Sequence, residues 1–206
     1  MKRLMISVML AAISIACASE TPKVLLFMRS GSADLEFMLK KEVMVMKESL
    51  EQAGFKVVVA TLDGSDFSAG SVTVKSDIKL ADAKVEDYAG FILPCMMVAS
   101  YPEPEISREA INLVQGAIAA GKPVAAQTGS LWTLAKAGIL KGKKYAYAFE
   151  EKHQYFEGAT FGGTGVVRDG LVLTSGLCPH MARTLNTDDG TEKLAHALAE
   201  AMKGKD

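Results

Sequence analysis

The chain has 206 residues, of which 49% are hydrophobic and 23% charged, and its formal net charge is -1. Such a composition leaves room for one well-buried core. The near-neutral charge gives no general attraction to nucleic acid or anionic lipid, and no run of Lys or Arg forms a binding patch, so nucleic acid is excluded as a charge-driven partner.

The N-terminus has the pattern of an export signal. The chain begins with Met-Lys-Arg, continues with an apolar stretch over residues 4–16, and reaches Ala-Cys-Ala, the small-x-small form of a signal peptidase site. The apolar stretch is too short for a membrane span. We therefore predict a signal peptide over residues 1–18, and export of residues 19–206, as a single domain, to the periplasm. The alternative is lipid attachment at Cys17, which would anchor the protein to a bacterial membrane.

Strands and helices alternate along the rest of the chain. Apolar runs between turn residues predict strands, and apolar residues at helical spacing predict helices. In chain order, the elements are strand 23–28, helix 35–53, strands 55–61, 72–74 and 90–94, a helix from the prolines at 102 and 104 to about 120, strand 123–127, helix 131–137, strand 145–149, a hairpin within 165–174, and helix 189–203. This alternation predicts a mostly parallel central sheet covered by helices on both faces, a three-layer α/β sandwich.

The turn between strand 123–127 and helix 131–137 is the strongest candidate for a functional site. A tight turn there lifts Thr128 above the carboxyl edge of the sheet, where open α/β proteins place their chemistry. A β-branched residue fits poorly into a left-handed turn, and a hydroxyl is a weak nucleophile without a neighbouring base. Thr128 is therefore either an activated nucleophile or a polar residue that satisfies backbone groups at the turn.

Two sequence stretches carry a family resemblance. Gly-Lys-Pro-Val-Ala-Ala at 121–126 and Leu-Ala-Lys-Ala-Gly-Ile-Leu-Lys-Gly-Lys at 134–143, with the order of elements, resemble the ThiJ/PfpI family. The resemblance covers residues 23–202. It implies a flavodoxin-like sandwich related to class I glutamine amidotransferases, and a homodimer. Members of this family include proteases or chaperones and glyoxalase- or deglycase-like enzymes.

The resemblance also implies where the family's functional residues fall. The acid that follows the first strand corresponds to Glu36, and Thr128 stands where the family has its nucleophilic cysteine. Gly129 takes the place of the residue after that cysteine. The Gly-Gly of the oxyanion hole is replaced by Cys-Met-Met at 95–97, and the Arg-Gly-Pro turn by Gly-Leu-Cys-Pro at 176–179. Glu36 is then either a partly buried acid that hydrogen-bonds Thr128, with a raised pKa, or a first-turn carboxylate that stabilises its helix.

The same resemblance brings the loops carrying the second and third cysteines to one rim of the sheet. It implies a pocket lined by Cys95, Met96, Gly129, Cys178 and His180. Three interpretations of the two thiols stay open: a structural disulfide, which suits an oxidising compartment; two separate buried thiols; or a redox or metal-binding pair with His180. Two thiols and one histidine are a weak metal signal, so we predict no metal and no cofactor.

These residues together predict a protein without the family's cysteine-dependent activity, a small-ligand-binding or stress-related module. One alternative is a hydrolase or glyoxalase-like enzyme with an altered site, in which Glu36 acts as acid or base and a thiolate as nucleophile. Another is a thiol redox protein that cycles Cys95 and Cys178. Methionines in helix 35–53, at 38, 44 and 46, indicate either internal packing or a dimer face.

Overall fold

The computed structural model describes residues 20–98 and 104–204; the predicted signal peptide and Cys17 lie outside these ranges. The strands are β1 (Lys23–Met28), β2 (Lys56–Thr61), β3 (Phe67–Ala69), β4 (Val72–Val74), β5 (Ile78–Lys79), β6 (Gly90–Leu93), β7 (Val124–Gln127), β8 (Lys144–Tyr145), β9 (Thr160–Phe161), β10 (Val166–Asp169) and β11 (Val172–Ser175). The main helices are α1 (35–52), α2 (Arg108–Ala119), α3 (Leu131–Lys136), α4 (Pro179–Leu185) and α5 (Thr191–Met202).

Seven strands form the central sheet, in the order β10-β11-β7-β6-β1-β2-β5. All neighbours are parallel except β10 and β11, which form an antiparallel hairpin at one edge. Helices α2 and α3 pack on one face, and α1 and α5 on the other. The molecule is thus a flavodoxin-like three-layer α/β sandwich, as the alternation of elements predicted.

Each central strand divides its side chains between two cores. In β1, Leu25 and Phe27 enter the core under α2 and α3, whereas Val24, Leu26 and Met28 enter the core under α1 and α5. Because both faces are covered, both sets are apolar, which explains why β1 appears in the sequence as an unbroken apolar run.

Helix α1 contains one π-helical turn. It consists of α-helical Leu35–Met38, a π-helical turn at Leu39–Val43 and α-helical Met44–Gln52. Such turns are rare in proteins, and those that occur often lie at functional sites. Met38 and Met46 are fully buried within the chain, so these two methionines pack internally and do not form a dimer face.

One predicted strand is absent from the structure, and one helix of the structure was not predicted. The alternating residues 145–149 do not form a strand: only Lys144–Tyr145 pairs, with β9, and the rest form a loop. Tyr145 and Tyr147 are buried in this segment, whereas Phe149 is 44% exposed, so the aromatic residues alternate in the sequence without forming a strand. The seven-residue helix α4 was missed because it is too short to show a helical period.

Helix α2 begins later than predicted. Its first residue is Arg108, and Ser107 is the N-cap, whose Oγ accepts a hydrogen bond from the backbone N–H of Ala110 at 3.2 Å. A serine in this position satisfies an N–H group that proline would not, so the cap rather than the prolines sets the start. None of the helices in the described ranges combines the length and the apolar character that a bilayer crossing requires.

Candidate functional site

The turn after β7 has the strained backbone expected of it. Thr128 has a φ of 40°, in the left-handed region, and its side chain is 6% exposed. Its hydroxyl donates a hydrogen bond to the carbonyl oxygen of Gly176 at 3.2 Å. Ser130 donates its hydroxyl proton to the carbonyl of Pro94 at 2.6 Å, so it joins the turn to the loop after β6.

The loop after β6 adopts a glycine-like backbone without glycine. Met96 and Met97 have φ values of 56° and 49°, two successive residues in the left-handed region. Their side chains separate: Met97 lines the cavity described below, whereas Met96 is fully buried in the core under α1. The structure therefore does not place Met96 in the pocket, where we expected it.

Glu42 holds this loop from below. Its Oε1 accepts the backbone N–H of Cys95 at 2.8 Å, and its Oε2 accepts that of Met96 at 2.8 Å. Burial raises the pKa of the Glu42 carboxyl, and the two amides and the charge of Arg29 oppose this effect without cancelling it. The amides of the loop are thus already bonded to an acid of the protein itself.

Of the two interpretations of Glu36, the partly buried acid that bonds Thr128 is wrong. The side chain of Glu36 is 44% exposed and forms an ion pair with Lys40 at 2.6 Å, on the surface of α1. The hydrogen bond from Lys40 lowers the pKa of Glu36, the opposite of the shift expected for a buried acid. It is a first-turn carboxylate, the alternative interpretation.

Sequence reasoning missed Glu42, although the helical period carries a signal for it. Position 42 is three residues after Leu39 and four before Met46, on the apolar stripe that faces the core. A carboxylate on such a stripe has to find partners inside the protein. Glu36, the first glutamate after β1, is the simpler choice, but its carboxylate lies on the surface of α1.

A cavity of about 380 Å³ opens above Thr128, and we call it the thiol cavity. Its walls are mostly apolar or aromatic, with few polar groups at the floor and rim. The lining side chains include Ala33, Cys95, Met97, Val98, Thr128, Tyr147, Ala148, Phe149, Cys178, His180 and Met181, together with the backbone of Gly31 and Gly129. Four of the five expected pocket residues lie here, all except Met96, and Glu36 does not.

The two cysteines at the floor are buried free thiols, so the disulfide, one of the three interpretations left open, is not formed in this structure. They share a hydrogen bond, in which Cys95 donates to Cys178. This bond lowers the pKa of the Cys178 thiol, with help from the backbone of Met181 and the hydroxyl of Thr128, whereas burial opposes it. The same bond, together with burial, raises the pKa of Cys95. The pair is therefore asymmetric, and Cys178 is the sulfur that ionises first.

The hydroxyl of Thr128 lies within reach of two acceptors, the Gly176 carbonyl and the Cys178 sulfur. It has one proton and donates to only one of them at a time. The acceptor at 3.2 Å is a backbone carbonyl, which cannot serve as the base that a threonine nucleophile needs.

His180 is the one histidine among the described residues that lines the thiol cavity. Its Nδ1 lies 3.2 Å from Nη2 of Arg183, which in turn forms an ion pair with Asp34 at 2.8 Å. A guanidinium can only donate, so Nδ1 is the acceptor and the ring proton is on Nε2. Within residues 20–98 and 104–204, no cluster of three His, Cys, Asp or Glu side chains is arranged to hold a metal ion.

The sequence profile of the DJ-1/PfpI family matches residues 22–185, most of the chain. This protein is a member of the DJ-1/PfpI family. The family match confirms the resemblance to ThiJ/PfpI proteins. A curated relative, an uncharacterized protein of Archaeoglobus fulgidus, is 34% identical over 104 residues, which span 50% of this chain and 60% of that protein.

Solved structures of DJ-1/PfpI proteins share the fold. A ThiJ/PfpI domain protein from Brachyspira murdochii has a TM-score of 0.67 and 15% identity, covering 90% of this chain and 99% of that one. DJ-1beta of Drosophila melanogaster has a TM-score of 0.65 and 23% identity, covering 90% and 92% of the two chains. At these identities the likeness establishes the flavodoxin-like fold, and the chemistry has to be argued from this chain's own residues.

Proposed function

We propose that this DJ-1/PfpI protein binds a small, largely apolar molecule in the thiol cavity and does not use Thr128 for covalent catalysis. The observation that supports this proposal is that the Thr128 hydroxyl and the nearby backbone amides already form hydrogen bonds within the protein. Thr128 donates its proton to Gly176 or Cys178, and the amides of Cys95 and Met96 donate to Glu42. Nucleophilic attack on a carbonyl needs both a base and free oxyanion donors.

The walls of the thiol cavity indicate the kind of ligand. Its volume of about 380 Å³ lies within the range of small-molecule sites, and Tyr147 and Phe149 offer aromatic surfaces. Polar groups are confined to the thiols, Thr128 and His180. A ring or a short aliphatic chain with one polar group fits this distribution.

The test uses the neutral fluorescent dye N-phenyl-1-naphthylamine, which becomes bright in apolar sites. We expect saturable binding to the wild-type protein and its loss in Ala33→Trp, which fills the cavity mouth. Ala81→Trp makes the same change at an exposed alanine away from the cavities and serves as the control. Equal binding by both variants would place the dye elsewhere. Protease or glyoxalase turnover that disappears in Thr128→Ala would contradict the absence of catalysis.

A thiol–disulfide protein is the second candidate, and the asymmetry of the cysteine pair favours it. The Cys178 thiolate attacks a small disulfide in the cavity, forming a mixed disulfide and releasing one thiolate. Cys95 then loses its proton and attacks the Cys178 sulfur, which closes the Cys95–Cys178 disulfide and releases the second thiol. Because the pKa of Cys95 is raised, this second step is slow at neutral pH.

Bis(2-hydroxyethyl) disulfide is a suitable probe for this second candidate. Intact-mass measurements at neutral pH are expected to show the mixed disulfide on Cys178 first, with the internal disulfide forming faster as the pH rises. In the Cys95→Ser variant we expect the first step to proceed and the reaction to stop at the mixed disulfide on Cys178. No adduct in the wild-type protein would leave ligand binding as the better account.

Export, lipid attachment and dimer formation are further proposals for this protein. The basic start and apolar stretch of residues 1–16 support export, with cleavage after residue 18 or lipid attachment at Cys17. The mass of the protein recovered from a periplasmic or membrane fraction distinguishes these two outcomes. Light scattering of the purified protein tests the homodimer that the family resemblance suggests.

A further inference from the structure

A second, smaller cavity lies beside the carboxyl end of β1, and the site described above does not use it. Its volume is about 70 Å³, and its walls include Arg29, Ser30, Val98, Glu105 and Ser107; we call it the arginine cavity. Val98 also lines the thiol cavity, so the two are neighbours. Strand β1 is flanked by β2 on one side and β6 on the other, the switch point at which open α/β sheets bind ligands.

Arg29 is a buried cation with unused hydrogen-bond donors. It is 7% exposed, and its Nη2 donates to the carbonyl of Cys95 at 3.0 Å. Its Nε and Nη1 have no hydrogen-bond partner among the described residues. Burial lowers the pKa of the guanidinium, but an arginine still keeps its charge. A buried charge with unpaired donors calls for a further partner, and water or an anion in the cavity can supply one.

The N-terminus of helix α2 faces the same cavity. Ile106, Ser107 and Ala110 form part of its wall, and α2 is a 12-residue helix. The first N–H groups of a helix lack an acceptor within the helix, and the helix dipole places partial positive charge there. Two independent cationic features, from β1 and α2, thus converge on one small volume. Glu105 is the acidic residue of the cavity wall, and it is exposed to solvent. The charge of Arg29 also acts on the buried carboxyl of Glu42, which is not part of that wall.

We propose that the arginine cavity binds a carboxylate group that carries a single negative charge, separately from ligand binding in the thiol cavity. A carboxylate offers two oxygen acceptors to the unpaired N–H groups of Arg29, and Arg–carboxylate pairing is a strong interaction. The small volume admits one such group. Glu105 repels an anion bound beside it. The volume of about 70 Å³ favours the small planar carboxylate over the larger tetrahedral phosphate.

Acetate is the probe, and acetamide is its neutral analogue of similar shape. The melting temperature of the full chain is measured in sodium acetate, sodium phosphate and sodium chloride at one ionic strength, and with added acetamide. We expect a saturable rise with acetate only, because a ligand that binds the folded state alone stabilises it by mass action. The rise should disappear in Arg29→Met and persist in Arg108→Met, which removes an exposed guanidinium beside the cavity.

Two further variants test the same proposal if the Arg29→Met protein does not fold. Glu105→Gln removes the repelling charge and should lower the acetate Kd about two- to fivefold. Ala33→Trp blocks the thiol cavity and should leave the acetate effect unchanged. The proposal is overturned if acetate stabilises no more than chloride or acetamide, in which case water fills the cavity. It is overturned equally if phosphate stabilises as much as acetate, if Arg29→Met keeps the effect, or if Glu105→Gln leaves the Kd unchanged.

Discussion

At the scale of single residues, the cavity floor is a set of donors arranged around one sulfur. Cys178 receives hydrogen bonds from Cys95 and the Met181 backbone, and from Thr128 when that hydroxyl turns away from the Gly176 carbonyl; these bonds lower the pKa of Cys178 despite burial. Cys95 gives up its proton less easily for the same reason. Thr128, at the turn, thus helps to lower the pKa of the Cys178 thiol and is not itself a nucleophile in this account.

Thr128→Val tests that role, because it removes the hydroxyl and keeps the shape. We expect the pH midpoint of Cys178 alkylation by iodoacetamide to rise by about 0.5 to 1 unit, the worth of one hydrogen bond. Peptide-level mass spectrometry separates Cys178 from Cys95 and Cys17. Thr133→Val is the matched control, since the buried hydroxyl of Thr133 has no partner in the described part of the chain. A shift of equal size in both variants would mean that Thr128 does not contact the sulfur.

Glu42 is expected to make stability depend on pH. Its pKa is raised in the folded state, so above the ordinary glutamate value of 4.5 the folded protein binds more protons than the unfolded chain. The free energy of unfolding therefore contains a part that is present below that pH and is lost as the pH rises. Urea unfolding of the wild-type protein and Glu42→Gln between pH 4 and 8 should show their difference shrinking with rising pH.

Glu36→Gln is the control for that measurement, with the opposite sign. The pKa of Glu36 is lowered, so its contribution to stability is present above the ordinary value and is lost as the pH falls. It should be small, because this carboxylate is exposed and screened by solvent. Parallel pH profiles for the wild-type protein and Glu42→Gln would show that Glu42 does not carry the predicted proton.

At the scale of elements, two turns at the carboxyl edge adopt left-handed backbone without glycine. Thr128, Met96 and Met97 all have positive φ values, which disfavour residues with a side chain. Such strain persists only where the surroundings hold it, here through Glu42 below the methionines and Gly176 beside Thr128. Strained residues in a cluster are typical of ligand sites.

The strain at Thr128 is measurable by comparing one substitution at two sites. Thr→Ser removes a buried methyl group at both Thr128 and Thr133, but only Thr128 has a positive φ. Because serine relieves the β-branched crowding at that turn, we expect Thr128→Ser to cost about 1 kcal/mol less than Thr133→Ser. Urea denaturation of both variants provides the comparison, and equal losses would argue against strain.

The elements that the sequence predicted well are those buried on both faces. The apolar runs at β1 and β7 predict strands because no face of them meets water, and the stripe in α1 predicts its helix. The prediction of a strand over 145–149 failed because a loop contact buries Tyr147. The Tyr147 hydroxyl accepts a hydrogen bond from the indole N–H of Trp132 at 3.2 Å. Aromatic residues at every second position give the same sequence pattern in this loop as in a strand.

At the scale of the whole molecule, the order of strands determines which residues meet. Cys95 follows β6, Thr128 follows β7 and Cys178 follows β11, and these three strands are neighbours in the parallel part of the sheet. Their carboxyl ends share one edge, so a correct topology brings the three side chains together. The prediction that Glu36 is a buried acid of the site failed for a different reason. It depended on which residues of α1 face the core, and the order of the strands does not determine this.

Protection of Cys178 by a bound ligand is the most direct test of a ligand site above the thiol pair. The rate of Cys178 alkylation by N-ethylmaleimide is measured by mass spectrometry with and without saturating N-phenyl-1-naphthylamine. We predict that the dye slows alkylation of Cys178 at least about tenfold, because it fills the cavity that this sulfur, 1% exposed, lines. Dye binding that leaves the alkylation rate of Cys178 unchanged would contradict the proposed site.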